Sequence, residues 1–254
     1  MTLGTVANAV KLLRAFSHDE PTLGVSELAR RLQLTKSTTF RLVATLAEEG
    51  LLERTADDRY RLGLGLFELG SAVVACNVFW EAGHVPLERL HHETNETTHL
   101  GLLRGREVFY LERLDSPWTM RSFADLGRRN SAHATSSGKC LLAFGPADAT
   151  AAVIAGGLPR AAPRTITTPA LLLDCQRQVK QDGYATSFDE GSPGGASVAV
   201  PILDRDGRCQ AAVSVAAPLH RMPRQRVGEL LPLVRACANR IAANLADRPR
   251  RGAS

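Results

Sequence analysis

Residues 25–46 read VSELARRLQLTKSTTFRLVATL, and this stretch decides how the chain is organised. Its spacing predicts two helices and a tight turn. Ser26 is placed to cap the first helix, SELARRL, by accepting from the free N–H groups of its opening turn. Leu28, Ala29 and Leu32 share one side of that helix, and Gln33-Leu34 make the turn. Thr35 caps the second helix, in which Thr39, Leu42, Val43 and Leu46 keep the i, i+3, i+4, i+7 spacing of a buried face. Lys36, Ser37, Thr38, Phe40 and Arg41 are left at the other side of its start. Small polar and basic groups at that place are what a helix entering the DNA major groove requires. The same letters also suit a plain helical hairpin with a solvated face, so the neighbours decide.

Residues 53–62 read as a hairpin with Asp57-Asp58 near its tip and basic residues on both arms. Helix, helix and basic hairpin is the order of a winged helix-turn-helix, whose wing would lay Arg54, Arg59 or Arg61 along phosphates. An opening helix is predicted over 5–16, with Val6, Ala9, Val10 and Leu13 inward. Residues 22–25 are extended and can pair with the wing. Net charge is formally +5 and the isoelectric point near 9.2. In residues 1–62, however, nine Lys/Arg (11, 14, 30, 31, 36, 41, 54, 59, 61) meet eight Asp/Glu (19, 20, 27, 48, 49, 53, 57, 58). Affinity for a polyanion must therefore come from where the charges point, and a dimer would double the phosphate contacts.

Residues 5–70 resemble the N-terminal domain of the IclR family of bacterial transcriptional regulators. The matching pieces are AVKLLRAF, LTKSTTFRLVATLAEEGLL and RYRLGLGLFELG. Gln33 stands where that family usually has Gly, Thr35 where it often has Pro, and Phe40 where it often has His or Tyr. The first departure forgoes an easy left-handed helix end. The last bears on which bases are read.

At 254 residues, two domains are expected. With 44% hydrophobic and 22% charged residues the chain can bury a core. No apolar run reaches the length of a membrane span, and residues 1–5 carry no signal-peptide pattern. Cys76, Cys140, Cys175, Cys209 and Cys237 are scattered and form no C-x-x-C, which suits packing roles in a reducing cytoplasm. The domain reading is a winged helix-turn-helix over 1–63, a linker helix over 64–80, a second domain over 81–247 and a disordered tail over 248–254. Residues 64–79 are too apolar for an exposed helix and need a partner surface. Residues 80–95 continue as an amphipathic helix with Val85, Leu87, Leu90 and His91 inward.

From Thr97 the period becomes that of strands. Residues 97–103 and 107–114 flank Arg104-Gly105-Arg106 as a hairpin. A strand over 120–124 and a loop over 126–130 follow. Helices are predicted from Ser136 or Ser137 to Phe144, over 147–155 and over 168–183, the last with Pro169 at its first position. Strands over 197–203 and 209–217, then a helix over 224–246, complete an α+β pattern.

The resemblance extends here. HATSSGKCLLAF is similar to the family segment HATAxGKALLAF. In GYATSFDEGSPGGASVAVPILD, the residues Gly183, Ser187, Glu190, Ser197, Val198, Ala199, Ile202 and Asp204 fall at the family's spacing, and Leu203 departs from it. The resemblance implies a GAF-like domain that binds a small effector, a linker that helps build a homodimer or a dimer of dimers, and a double-stranded DNA operator as partner. By position it implies a pocket from Thr119, Arg121, Ser122, Ser136, Ser137, Ser187, Ser197, Ser214 and Ala216. Ser214 and Ala216 alternate onto one sheet face. Several hydroxyls and few carboxylates suit an organic acid, held at a helix N-terminus or by Arg121. Each serine also has a simpler use as a local cap.

Two other readings are weaker. Cys140 lies seven residues after His133 and would need an activated thiol to serve an enzyme; in KCLLAF it reads as core packing. His91, His92, Glu93, Glu96 and His99 suggest a metal sensor but match no H-E-x-x-H spacing. No cofactor motif and no catalytic grouping stand out.

Overall fold

The computed structural model describes residues 3–17, 19–118 and 129–247. It divides into two units, Met1–Asn77 and Val78–Ser254.

The first unit holds α1 (Gly4–Leu13), α2 (Val25–Leu32), α3 (Lys36–Glu48), a two-stranded sheet of β1 (Leu52–Arg54) and β2 (Tyr60–Leu62), and α4 (Leu64–Ala75). Its core joins Leu12, Phe16, Leu23, Leu28, Leu42, Val43, Leu46, Leu52 and Tyr60. Thr39, Leu42, Val43 and Leu46 form the buried face of α3. The Thr35 hydroxyl accepts from Thr38 N–H at 3.2 Å, as the capping pattern predicts. Ser26 does not cap α2. The helix starts one residue earlier, with Gly24 as its cap, and the Glu27 carboxylate accepts from Gly24 N–H at 2.8 Å. That is the return half of a capping box.

The turn after α2 closes with Leu34 N–H on Ala29 O at 3.0 Å and Gln33 N–H on Arg30 O at 3.3 Å, Gln33 having φ 56°. The end of α3 repeats these bonds with Gly50, φ 69°, at the left-handed place. Gln33 thus occupies a conformation that costs a residue bearing a Cβ about 1 kcal/mol. Leu23 pairs with Tyr60, so the extended stretch before α2 does join the wing.

Helix α1 ends at Leu13, short of the expected residue 16. Ala9 and Leu13 pack partly buried against the core as expected, but its fully buried residue is Leu12, joined by Phe16 from beyond the helix, while Val6 is 59% and Val10 41% exposed. No residue of α4 is buried, and Phe67 is 73% exposed. The apolar run over 64–79 breaks at Cys76-Asn77, so the expected linker helix ends at Ala75.

The second unit comprises α5 (Val78–Thr94), β3 (Thr97–Arg104), β4 (Glu107–Leu114), β5 (Arg129–Ser131), α6 (Ser136–Phe144), α7 (Ala147–Ala155), α8 (Pro169–Asp182), β6 (Ala185–Phe188), β7 (Gly195–Leu203), β8 (Cys209–Pro218) and α9 (Arg224–Ala246). The antiparallel sheet has the order β5-β4-β3-β8-β7-β6.

Both faces of this sheet are covered, which is why β7 and β8 are apolar almost throughout. Leu100, Val198, Val200, Val213 and Val215 pack with Leu87 and Leu90 of α5 and with Val227, Leu230, Val234 and Ile241 of α9. Alternate residues, Ala199 and Ala212 among them, pack with Cys140 and Leu141 of α6 and with Leu172 and Val179 of α8. Val85, expected inside, is 69% exposed because α5 turns Ala82, Leu87 and Leu90 to the sheet.

Two strands differ from the sequence reading. β6 is only four residues long and was not anticipated, and residues 129–130, expected in a loop, belong to β5. The Thr168 side chain makes no cap bond to α8, although Pro169 does open that helix. The strand expected over 120–124 and the tail over 248–254 lie outside the described residues. Among the described residues, no single helix is long and apolar enough to cross a membrane.

Candidate functional site

Two places gather the predicted side chains. The first is the start of α3. Lys36, Ser37, Thr38, Phe40 and Arg41 are all exposed, opposite the buried Thr39-Leu42-Val43-Leu46 face. Thr35 Oγ1 donates to Thr38 Oγ1 at 2.9 Å and lies 3.1 Å from Ser37 Oγ, so the cap also orders the two small residues. Among the described residues, Lys36 and Arg41 have no ion-pair partner. Phe40 is 56% exposed. An exposed apolar ring here suits contact with a thymine methyl group.

The wing arginines are not equivalent. Arg54 pairs with Asp58 at 2.9 Å and Arg61 with Glu53 at 2.8 Å, both exposed pairs of little intrinsic strength. A phosphate can therefore compete for either guanidinium. Arg59 turns inward. Its Nη2 donates to Thr22 O at 2.8 Å and to Glu27 Oε2 at 2.9 Å, and its Nε donates to Thr22 Oγ1 at 3.2 Å. The same Glu27 carboxylate caps α2, and these bonds hold its pKa below the usual carboxylate range, the Gly24 N–H bond most of all. Arg59 thus ties wing to helix.

The second place is a cavity of about 140 Å³ on the α6 side of the large sheet. The register builds it. Ser187 pairs with Ser197, Ser197 with Ala216, and Ala216 with Thr97. In the next row, Ala199 pairs with Ser214 and Ser214 with His99. The lining includes Ser187, Ser197, Ser214 and Ala216, all expected, together with His99, Tyr110, Asn130, Thr135, Gly191 and Ser192. Ser136 Oγ lies 2.6 Å from Ser197 Oγ and joins helix to sheet. Ser136 and Ser137 are both buried in the first turn of α6 and neither lines the cavity, although both were expected there. Thr119, Arg121 and Ser122 lie outside the described residues.

Helix α6 begins at the cavity with Thr135 as its cap, the hydroxyl accepting from Gly138 N–H at 3.1 Å. The entry to the helix is tight, since a Cβ on Gly138 would sit 2.1 Å from Ala132 O. Only glycine fits there. Ser187 Oγ donates to Ala134 O at 3.1 Å, so part of its capacity is used locally.

No described residue lining the cavity carries a formal charge. Burial, with Arg113 nearby, pushes the His99 pKa down to about 3, which keeps its imidazole neutral. Burial likewise raises Tyr110. Lys139 of α6, a buried cation, is already matched. Its Nζ donates to Thr186 O at 2.8 Å and to Glu190 Oε1 at 2.7 Å. The loop after β6 is fixed further by Thr165 Oγ1, which donates to Glu190 O at 2.6 Å.

The other candidates have different employment. The Cys140 thiol donates to Ala199 O at 3.3 Å, and burial raises its pKa well above that of a free thiol. That is the reverse of activation. His91 Nδ1 lies 2.9 Å from Glu96 O, and Glu96 Oε1 takes Arg221 at 2.9 Å and Arg226 at 2.8 Å. Among the described residues, no group of three His, Cys, Asp or Glu is arranged to hold a metal ion. Sequence reasoning weighed His99 only for such a group and passed over its place in the cavity. The alternation that selected Ser214 and Ala216 could have found it one strand away.

Comparisons with known proteins agree with this division. Residues 5–56 match the IclR helix-turn-helix domain, and residues 71–243 match the bacterial transcriptional regulator IclR C-terminal domain. The HTH-type transcriptional regulator KdgR of Escherichia coli (strain K12) is 30% identical over 246 residues, covering 96% of this chain and 93% of its own. BhcR of Paracoccus denitrificans, also an HTH-type transcriptional regulator, is 33% identical, covering 89% of this chain and 82% of its own. Among solved structures, an IclR homologue from Microbacterium hydrocarbonoxydans complexed with 4-hydroxybenzoate superposes with a TM-score of 0.85 at 30% identity, covering 96% of this chain and all (100%) of the other. The Thermotoga maritima IclR gives 0.80 at 27%, covering 96% and 99%.

Proposed function

The chain belongs to the IclR family of bacterial transcriptional regulators, and from that premise we propose how it works. It is a regulator with a helix-turn-helix DNA-binding domain and a C-terminal ligand-binding domain, and its relatives are named as regulators rather than enzymes. The proposed effector is a small organic acid bound in the cavity between the start of α6 and the sheet. The carrying observation is the lining itself: serine hydroxyls meeting at a helix N-terminus, with about 140 Å³ of room. Helix N–H groups and hydroxyls hold a carboxylate without a buried counter-charge. The 4-hydroxybenzoate in the Microbacterium hydrocarbonoxydans homologue supports an acid of this size.

On the DNA side, Lys36, Ser37, Thr38, Phe40 and Arg41 read the major groove, and Arg54 and Arg61 exchange their carboxylates for phosphates. Arg59 sets the angle of the wing. The protein acts in the cytoplasm as a homodimer or dimer of dimers, and the exposed apolar face of α4 supports a role for that helix in assembly. Effector binding changes the spacing of two recognition helices on a roughly palindromic operator, so that operator and effector affinities are linked.

A thermal-shift screen of the full chain against aliphatic, aromatic and sugar acids tests this. A ligand at ~100 times its dissociation constant adds about 2.7 kcal/mol to the state that binds it. The expected result is stabilisation by one class of acid, and a changed affinity for duplexes selected from a random pool when that acid is present. Stabilisation by no acid, or by acids that leave DNA affinity untouched, overturns the reading.

A further inference from the structure

His99 stands out in the cavity because it is the buried group with unused hydrogen-bonding capacity. It is 3% exposed, its ring lies 4.5 Å from that of Tyr110, and its Nε2 has no partner among the described residues. Its other nitrogen, Nδ1, lies 3.5 Å from Ser214 Oγ. Taken with the Ser214 hydroxyl as donor to Nδ1, the neutral ring carries its proton on Nε2 and offers one N–H to whatever enters; with the roles reversed, Nε2 accepts instead. A buried polar nitrogen without a partner is costly, and a suitable ligand oxygen removes that cost.

The sheet places this nitrogen away from the Ser136–Ser197 pair. Ser197 and His99 sit on neighbouring rows, two strands and two residues apart. Standard sheet spacings put their α-carbons ~12 Å apart. A cavity of about 150 Å³ elsewhere holds one benzene molecule. A ligand of that size therefore reaches from the serine pair to the imidazole.

We propose that His99 is a specificity-determining residue of the effector site, its Nε2 hydrogen-bonded to a second oxygen on an acid whose carboxylate is held by Ser197 and the start of α6. The proposal rests on the effector-site reading above. It assigns the effector to the bifunctional acids: a benzene-sized carboxylate carrying a hydroxyl or carbonyl oxygen at its far end.

The test is calorimetric titration of the full chain with two probe pairs, benzoate against 4-hydroxybenzoate and pentanoate against 4-oxopentanoate. The expected result is a preference of about tenfold or more for the oxygenated member of at least one pair. His99→Asn, which loses the Nε2 position, abolishes that preference. His99→Gln, which keeps a donor near that position, restores part of it. A second reading needs no variant: the His99 imidazole nitrogen resonances of the wild-type protein shift with the oxygenated probe and not with its plain partner. Equal binding of both members, lost in Ser197→Leu, keeps the effector site and overturns the role of His99, as does a preference that survives in His99→Asn. Binding of no probe overturns both readings.

Discussion

The start of α3 and the cavity beneath α6 are built in opposite ways. At α3 the important groups are neighbours in sequence: Lys36 to Arg41 lie within two turns, project into solvent and depend on one cap. At the cavity they come from β3, β4, β5, β6, β7, β8, the loop after β6 and the entry to α6, and most are buried. A surface reader of DNA must remain accessible and charged. A receptor for a small molecule must exclude water and place a few dipoles accurately. The contrast predicts that the two units fail separately.

The largest effect is expected from Ser197→Leu. A leucine fills much of a cavity of about 140 Å³, so effector affinity falls by ~100-fold or more while unfolding loses only about 1–3 kcal/mol. Duplex binding without effector stays as in the wild type. Parallel calorimetry and DNA titration check it, and a matching loss in DNA affinity would erase the proposed separation. Arg41→Ala should do the converse. DNA binding weakens by about 1–3 kcal/mol and the salt slope becomes shallower if the guanidinium touches phosphate, with effector affinity unchanged.

The third effect is on acid stability and belongs to the second unit alone. The His99 pKa is about 3 in the folded chain, against an ordinary value of 6.5. Between those values the unfolded chain takes up a proton that the folded chain refuses. Stability is therefore complete above pH ~6.5 and falls as pH drops, by up to about 1.4 kcal/mol per pH unit. His133, lowered by burial, acts in the same sense, whereas Glu112, raised by burial, opposes it. The difference between wild type and His99→Gln in urea melts at pH 7 and pH 5 isolates the His99 share. Equal pH slopes would sink this assignment.

The smallest is Gln33→Gly. Gln33 holds φ 56° at an exposed helix end where Gly50 does the same task for α3. Relief of that conformation should stabilise the first unit by about 1 kcal/mol, less the entropy glycine loses on folding, and leave the second unit unmoved. Thermal melts that resolve the two units read it directly.

How much of this was legible follows from the same contrast. The helix-turn-helix could be read because its cap at Thr35, its buried face and its exposed face are all set within thirteen residues of helix. Gln33 was legible as a departure for the same reason. The inward turn of Arg59 was not, because its partners Thr22 and Glu27 are 37 and 32 residues away. In α1, Ala9 and Leu13 were read correctly, but Val6 and Val10 misled because they have helical spacing of their own and nothing local says that Leu12 and Phe16 are the residues buried in the core. In the cavity, Ser214 and Ala216 followed from strand alternation. His99 and Tyr110 required knowing that β3 lies between β8 and β4, a fact of pairing that no window of sequence contains. The short β6 escaped for want of length.

The two-sided sheet has one more consequence, for how such a receptor changes over generations. In β7 and β8, residues facing the cavity alternate with residues facing α5 and α9. Ser197 sits between Ala196 and Val198, and Ser214 between Val213 and Val215. Under the proposed effector reading, a codon change at a cavity position alters what is sensed while its neighbours go on anchoring the long helices. Inheritance can explore new effectors one side chain at a time, on a strand whose other edge keeps the protein intact during the search.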